Sequence, residues 1–407
     1  MTRLTTVRHH APLLVRGTCE VEATVLTTPS ATQIFARCAP IASGTSKNGC
    51  PIQSRVVYDG LAGLLEQLGA EMCHVVIEKA FFRNLRADHD DFQQVRREAY
   101  RKRGITGNLL PATTYLGQPP CRPGRDVELQ AYAVVPASAG TARVHSFPAP
   151  AEHVSVKLFE IGRARHLYVG NVTAWGLNGK PPGDLRRQSD AIFDTALRIV
   201  ESHGASFSDV LRTWIYLDDI DRDYAGLNAS RNAFFAREGV GRLPASTGIG
   251  GGSHPKGSLC VVDAYALLNP EIASIEVMKT PTLNEAPDYG SAFSRGMKMA
   301  LPEQTYLFIS GTASVDEEGA TVHVGDARRQ IERMLLNVEE LLRAQGATFA
   351  DLAHAVTYLK RADDLEPYLQ VCAERGVAEV PHTIVQADVC RPELLSEIEA
   401  IAVLPTP

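Results

Sequence analysis

The stretch SEIEAIAV near the C-terminus alternates like a strand, so Glu397, Glu399 and Ile401 share one face while Ile398, Ala400 and Ala402 share the other. A covered strand keeps glutamates only when they are paired, hydrogen-bonded or put to use. Burial disfavours the charged carboxylate, so a buried glutamate holds its proton closer to neutral pH, as a general acid requires. Cys390 and Arg391 precede Glu397 in the same stretch, QADVCRPELLSEIEA. The thiol can line a pocket, attack or donate a proton, or serve as a small buried apolar group. The guanidinium can grip a carboxylate through two parallel N–H bonds or form a surface ion pair.

Arg212 and Tyr216 alternate on one face of RTWIYL, and Tyr358 and Lys360 repeat that spacing. An arginine inside a strand favours a carboxylate partner, so Arg212 and Tyr216 are candidate substrate contacts, as are Tyr358 and Lys360. Arg231, on the helical stretch LNASRNAFF, has either that role or a solvated one. Ser310, Thr312 and Ala313 offer hydroxyls and close backbone approach around a glycine; the alternative is an ordinary kinked strand end. Gly248 opens GIGGGSHPKG (248–257), which lacks the GK[ST] of a phosphate-binding loop and the strand–GxGxxG–helix order of a dinucleotide site and reads as a flexible loop, a candidate lid over substrate. The cluster RADHDD (86–91) reads as a solvated turn rather than a metal site. Neither a metal nor an organic cofactor is expected.

With 44% hydrophobic and 22% charged residues in 407, the chain has a globular composition and room for two or three domains. No apolar run is long enough for a bilayer span, and the N-terminus lacks the apolar core of a signal peptide. The formal net charge of −6 argues against nucleic acid as a partner. Eight cysteines without a CxxC pair suit reduced thiols, hence a cytoplasmic protein.

The elements that position these residues come as a repeat. Residues 183–217 lie over 325–359 without a gap, with Gly183/Gly325, Asp184/Asp326, Gln188/Gln330, Gly204/Gly346 and Tyr216/Tyr358 coinciding. In the second copy Asp326 opens a helix. Ile331, Met334, Leu335, Val338, Leu341 and Leu342 form its apolar stripe, and Gly346 stops it. A fainter copy lies N-terminal: LPATTYLG (110–117) matches LPASTGIG (243–250), and ELQAYAVV (128–135) matches both VVDAYALL (261–268) and EIEAIAVL (397–404). The spacing predicts three α+β units at 1–140, 150–270 and 288–407, each a mixed sheet with helices on one face. Proline- and small-residue-rich linkers are expected at 137–152 and 269–288. At the position of Glu397 the first unit has Glu128 and the second Val261, so one working site is expected.

FISGTAS (308–314), HVGDARRQ (323–330), the helix with Asn337 and the closing EIEAIA resemble the Rid (YjgF/YER057c) family. That resemblance implies a chorismate-mutase-like fold and, with three units in one chain, a monomeric pseudo-trimer whose sites lie in clefts between units. RTWIYLDDI, YAGLNASRNAFF, LPASTGIG, VHVGDARRQ and above all ADVCRPELLSEIEA resemble the chorismatases over roughly 150–407. The resemblance implies a small-molecule substrate, chorismate, whose enol ether is protonated at its methylene carbon. Pyruvate is then released with a 3-hydroxybenzoate or a dihydroxycyclohexadiene carboxylate. Glu397 would be the acid, and Cys390 leans toward the hydroxybenzoate. A Rid-type imine hydrolase would use an arginine where this chain has Thr113–Thr114, Ser246 and His382–Thr383; the other rival is a non-catalytic carboxylate binder.

Overall fold

The computed structural model describes residues 13–15, 19–41, 49–148, 153–175, 181, 183–377 and 380–405, with backbone alone at 13–15 and 288–289. Six α-helices lie among them: α1 (Cys50–Gln67), α2 (Leu85–Arg101), α3 (Leu185–Ser202), α4 (Ile220–Arg237), α5 (Ala327–Arg343) and α6 (Leu365–Glu374). Local chemistry starts and stops them. Asp184 and Asp326 accept hydrogen bonds from the backbone N–H of Arg187 and Arg329 at 2.9 and 3.0 Å, capping α3 and α5. Gly204 and Gly346, at φ +82° and +73°, take the left-handed conformation just beyond those helices. All six apolar positions of the α5 stripe are buried. Helix α1 lacks a side-chain cap and begins with Pro51 in its first turn, which explains why the N-terminal copy of the repeat is faint in sequence.

Three sheets carry these helices. In each, the closing strand sits centrally and runs antiparallel to the strand that follows the first long helix. The closing strands are Val127–Pro136, Cys260–Leu267 and Ser396–Pro405; their neighbours are Val75–Phe82, Val210–Leu217 and Leu352–Leu359. The strand after the second helix then adds in parallel outside it: Ala112–Gly117, Ala245–Gly250 and His382–Gln386. One face of each sheet meets its own helices in a private apolar core. The opposite faces of all three turn inward onto one another and form a shared core that includes Phe81, Tyr168, Trp214, Tyr306, Phe308 and Tyr358. This is the pseudo-trimer, and it requires clefts where one sheet's edge meets the next unit.

Backbone bonds close each seam. Gly252–Ser253 pairs with Leu116–Gly117 of the first unit, Gly250 N–H donates to Asp388 O at 2.8 Å, and Gln386 N–H donates to Pro119 O at 2.7 Å. Three expectations are corrected. The first half of the glycine-rich run at 248–257 is strand, at 248–250 and 252–253, because its glycines permit close approach of neighbouring units. RADHDD lies on α2, whose buried face takes in His89. The linkers contribute edge strands, Ala142–Ser146 against Ser155–Ile161 and Ser274–Val277 against Gly296–Ala300.

A Cβ at Gly250 would stand 2.9 Å from Asp388 O and 3.1 Å from Asp388 N. Gly250→Ala is therefore expected to cost about 1–3 kcal/mol by forcing the second and third units apart, seen as a fall of several degrees in the thermal midpoint.

Candidate active site

Glu397 lies at the seam between the second and third units. Its cleft has a volume of about 330 Å³, within the usual range for small-molecule sites. Helix α4 supplies Tyr224, Asn228 and Arg231, which share one helical face, and the edge strand supplies Ser246 and Gly248. The third unit supplies Gly311, Ala313, Cys390, Arg391 and Glu397, and the segment entering it supplies Phe293 and Arg295.

Glu397 is 4% exposed and accepts no hydrogen bond from any described residue. Burial first, and the neighbouring Glu399 second, push its carboxyl up to about 8, against a smaller opposing pull from Arg212 and Arg295. Glu399, on the same strand face, is held as an ion pair: Arg212 Nη2 donates to it at 2.8 Å and Trp214 Nε1 at 2.9 Å. One carboxyl is thus clamped and the other left without a donor. Gly311 makes this possible, since a Cβ there would overlap Glu397 Oε1.

The half-buried Cys390 thiol is pushed up to about 12 by burial and by Glu397. At neutral pH it is a thiol, which disfavours attack as a thiolate. Arg391 lines the cleft while its Nη1 donates to Gly319 O at 2.7 Å. Arg231, 2% exposed, donates to Asn228 Oδ1 at 2.7 Å, and its guanidinium lies 5.6 Å from the Phe293 ring. Arg295, 5.7 Å from the same ring, is anchored on Asn284. Gly248 lines the wall, where a Cβ would approach Tyr224 to 3.1 Å.

Several sequence candidates lie elsewhere. Arg212 turns to Glu399 and Thr247 rather than into the cleft. Tyr216 faces the molecular centre, where its hydroxyl accepts from Lys79 Nζ at 2.9 Å, and Tyr358 is buried in the shared core. Lys360 donates to Pro392 O at 2.9 Å. Ser310 is consumed by backbone, accepting from Ser246 N–H and donating to Ser294 O, and Thr312 donates to Ser310 O. Same-face alternation put these side chains on the inter-unit side, but that side includes the central core as well as the cleft. Sequence reasoning missed Tyr224, Asn228, Gly311, Phe293 and Arg295. The helical spacing of Tyr224, Asn228 and Arg231 carried a signal for the first two, and a glycine inside a strand marked the third; Phe293 and Arg295 follow an irregular segment and carried none.

The other two clefts differ at the same positions. Glu128 is clamped by Arg37 Nη2 at 2.8 Å and Arg125 Nη1 at 2.8 Å, and so is not placed to donate a proton. Val261 is buried and has none. Among the described residues no group of acidic, histidine or cysteine side chains could hold a metal, and no helix is long and apolar enough to cross a membrane.

A family model described as endoribonuclease L-PSP matches residues 161–268 and 284–404. The chain is 30% identical over 246 residues to a chorismatase of Streptomyces hygroscopicus, covering 54% of this chain and 69% of that one. It is 26% identical over 247 residues to a 3-hydroxybenzoate synthase of the same organism, covering 54% and 71%. A chorismatase crystal structure superposes with a TM-score of 0.61 at 18% identity, covering 93% of this chain and 99% of that one.

The raised carboxyl of Glu397 has a stability consequence. Between about 4.5 and about 8 the folded chain binds a proton that the unfolded chain has released, so stability falls as pH rises through that window. Glu397→Gln is expected to remove this contribution, leaving a shallower dependence of the thermal midpoint on pH.

Proposed function

Because the chain belongs to the endoribonuclease L-PSP family and, within it, to the chorismatases, we propose that it cleaves the enolpyruvyl ether of chorismate, with Glu397 as general acid. The observation that carries this reading is a buried carboxyl, raised to about 8 and without a hydrogen-bond donor, facing a cleft lined by three arginines.

Protonation of the enol ether's terminal methylene carbon creates an oxocarbenium ion. Glu397 supplies that proton, and its conjugate base then stands beside the cation it has made. The substrate is a dianion, and Arg231, Arg295 and Arg391 give the cleft the complementary charge. Capture of the cation by water and collapse of the hemiketal release pyruvate and a dihydroxycyclohexadiene carboxylate. Rearrangement with aromatisation instead gives pyruvate and 3-hydroxybenzoate, with no net consumption of water. The second outcome is favoured by Cys390, protonated at the cleft wall and within electrostatic reach of Glu397. Its role is that of a shaping group rather than a nucleophile. We further propose that the chain works as a monomer, since its three units already close the ring, and in the cytoplasm, as the cysteine spacing suggests.

Incubation of the purified protein with chorismate is expected to yield pyruvate in a coupled assay and 3-hydroxybenzoate by chromatography; pyruvate no faster than spontaneous decay would overturn the reading. Glu397→Gln should lower kcat by about 10²–10⁴-fold while leaving ligand affinity nearly intact. In the wild type, kcat should decline as pH rises through about 8, where the acid gives up its proton. Cys390→Ala should keep chorismate consumption and shift the product toward the diene acid; an unchanged product would remove Cys390 from that choice.

A further inference from the structure

The inward faces of the three sheets leave a cavity of about 90 Å³ within the shared core. It has no lining residue in common with the Glu397 cleft. Aromatic rings line it, and one ring contact crosses each boundary between units. Tyr132 of the first unit meets Phe159 of the second at 5.8 Å. His166 of the second meets Tyr306 of the third at 6.4 Å. His354 of the third stacks on Phe35 of the first at 5.6 Å. Phe35 with Tyr132 at 4.7 Å, and Phe159 with His166 at 4.9 Å, carry this belt through the first two units.

The charges of the wall are suppressed or paired. Burial brings His166 and His354 down to about 3, so both imidazoles are neutral at physiological pH. The Lys79 ammonium donates to the Tyr216 hydroxyl at 2.9 Å, pairs with Asp263 at 3.6 Å and lies over the Trp214 ring at 3.9 Å. Tyr132 and Tyr306 spend their hydroxyls on Gln33 Oε1, at 2.6 and 2.5 Å.

Two polar groups of the wall are left over. Neither ring nitrogen of His354 hydrogen-bonds to any described residue. Gln130 donates Nε2 to Ala355 O at 3.2 Å, which brings it to the His354 end of the cavity, and its Oε1 accepts from no described residue. Water suits such a space poorly. One water takes up about 30 Å³ and needs two to four polar partners, and the unspent groups stand at one end only. A ring with a single hydroxyl suits it better, packing its face and edge on the belt while the hydroxyl takes up the leftover groups. A carboxylated ring is excluded, because Lys79 is already paired and a buried anion without a counter-ion is costly.

We propose that this central cavity is a binding site for a small uncharged phenol, its ring held by the aromatic belt and its hydroxyl by Gln130 and His354. The proposal depends neither on the reaction at Glu397 nor on the clefts between units.

Calorimetric titration of the full chain with phenol tests it, with benzene as the ring lacking the hydroxyl. Wild type is expected to bind phenol with a dissociation constant of about 0.1–1 mM, and its thermal midpoint should rise as phenol is added. Gln130→Leu and His354→Leu are expected to weaken phenol about three- to tenfold and to leave benzene unchanged. Ile401→Phe, which fills the cavity from the third sheet, should abolish binding of both; Ile77→Phe does the same from the first sheet should Ile401→Phe fail to fold. Tyr224→Ala, in the Glu397 cleft, should leave both in place. Circular dichroism establishes that each variant is folded. The proposal is overturned if phenol fails to bind wild type, if the filled variants bind it as wild type does, if Gln130→Leu and His354→Leu weaken phenol and benzene alike or weaken neither, or if Tyr224→Ala abolishes binding.

Discussion

A carboxyl group taken out of water without a hydrogen-bond donor is costly to ionise, and Glu397 is placed under that constraint by everything around it. Its strand is central in the third sheet, so it cannot move to solvent. The face it occupies is the one covered by the second unit. Its neighbour Glu399 takes Arg212 and Trp214 Nε1, the donors that would otherwise relieve it. Gly311 yields the space that its side chain fills. Removing the charge from Arg212 or adding a methyl group at residue 311 would therefore alter an acid that neither residue touches by a hydrogen bond.

The same architecture makes three such places and then treats them differently. The sheets bury one face against helices and the other against one another, and covering the second face leaves a cleft at each seam. At one seam the strand position holds an unpartnered glutamate and α4 holds an arginine. At the next, Glu128 is clamped by two guanidiniums and the face of α6 at the cleft, Leu365, Leu369 and Cys372, carries no arginine. At the last, Val261 stands in the acid's place while Arg96 keeps the arginine's. Joining three units in one chain frees each seam to take its own side chains, which a trimer of identical subunits cannot do.

The sequence by itself determined the threefold repeat, the order of its elements and the place of Glu397 on a strand. The repeat, the capping aspartates and the apolar stripe of α5 are local signals, set by periods of 3.6 and 2 residues and by the chemistry of helix ends. Alternation put Glu397 and Glu399 on one strand face, and the contrast of Glu397 with Glu128 and Val261 followed from laying the copies together. Which inter-unit side chains reach the cleft was decided only by tertiary structure. Alternation assigns a face of a sheet, but that face runs from the rim of the cleft to the centre of the molecule. Arg212, Tyr216 and Tyr358 fell toward the centre, where they pair or pack, while Arg295 and Phe293 entered the cleft from an irregular segment with no period to betray them. Distances between residues far apart in the chain set which carboxylate is clamped and which is left to hold a proton, and no sequence period encodes those distances.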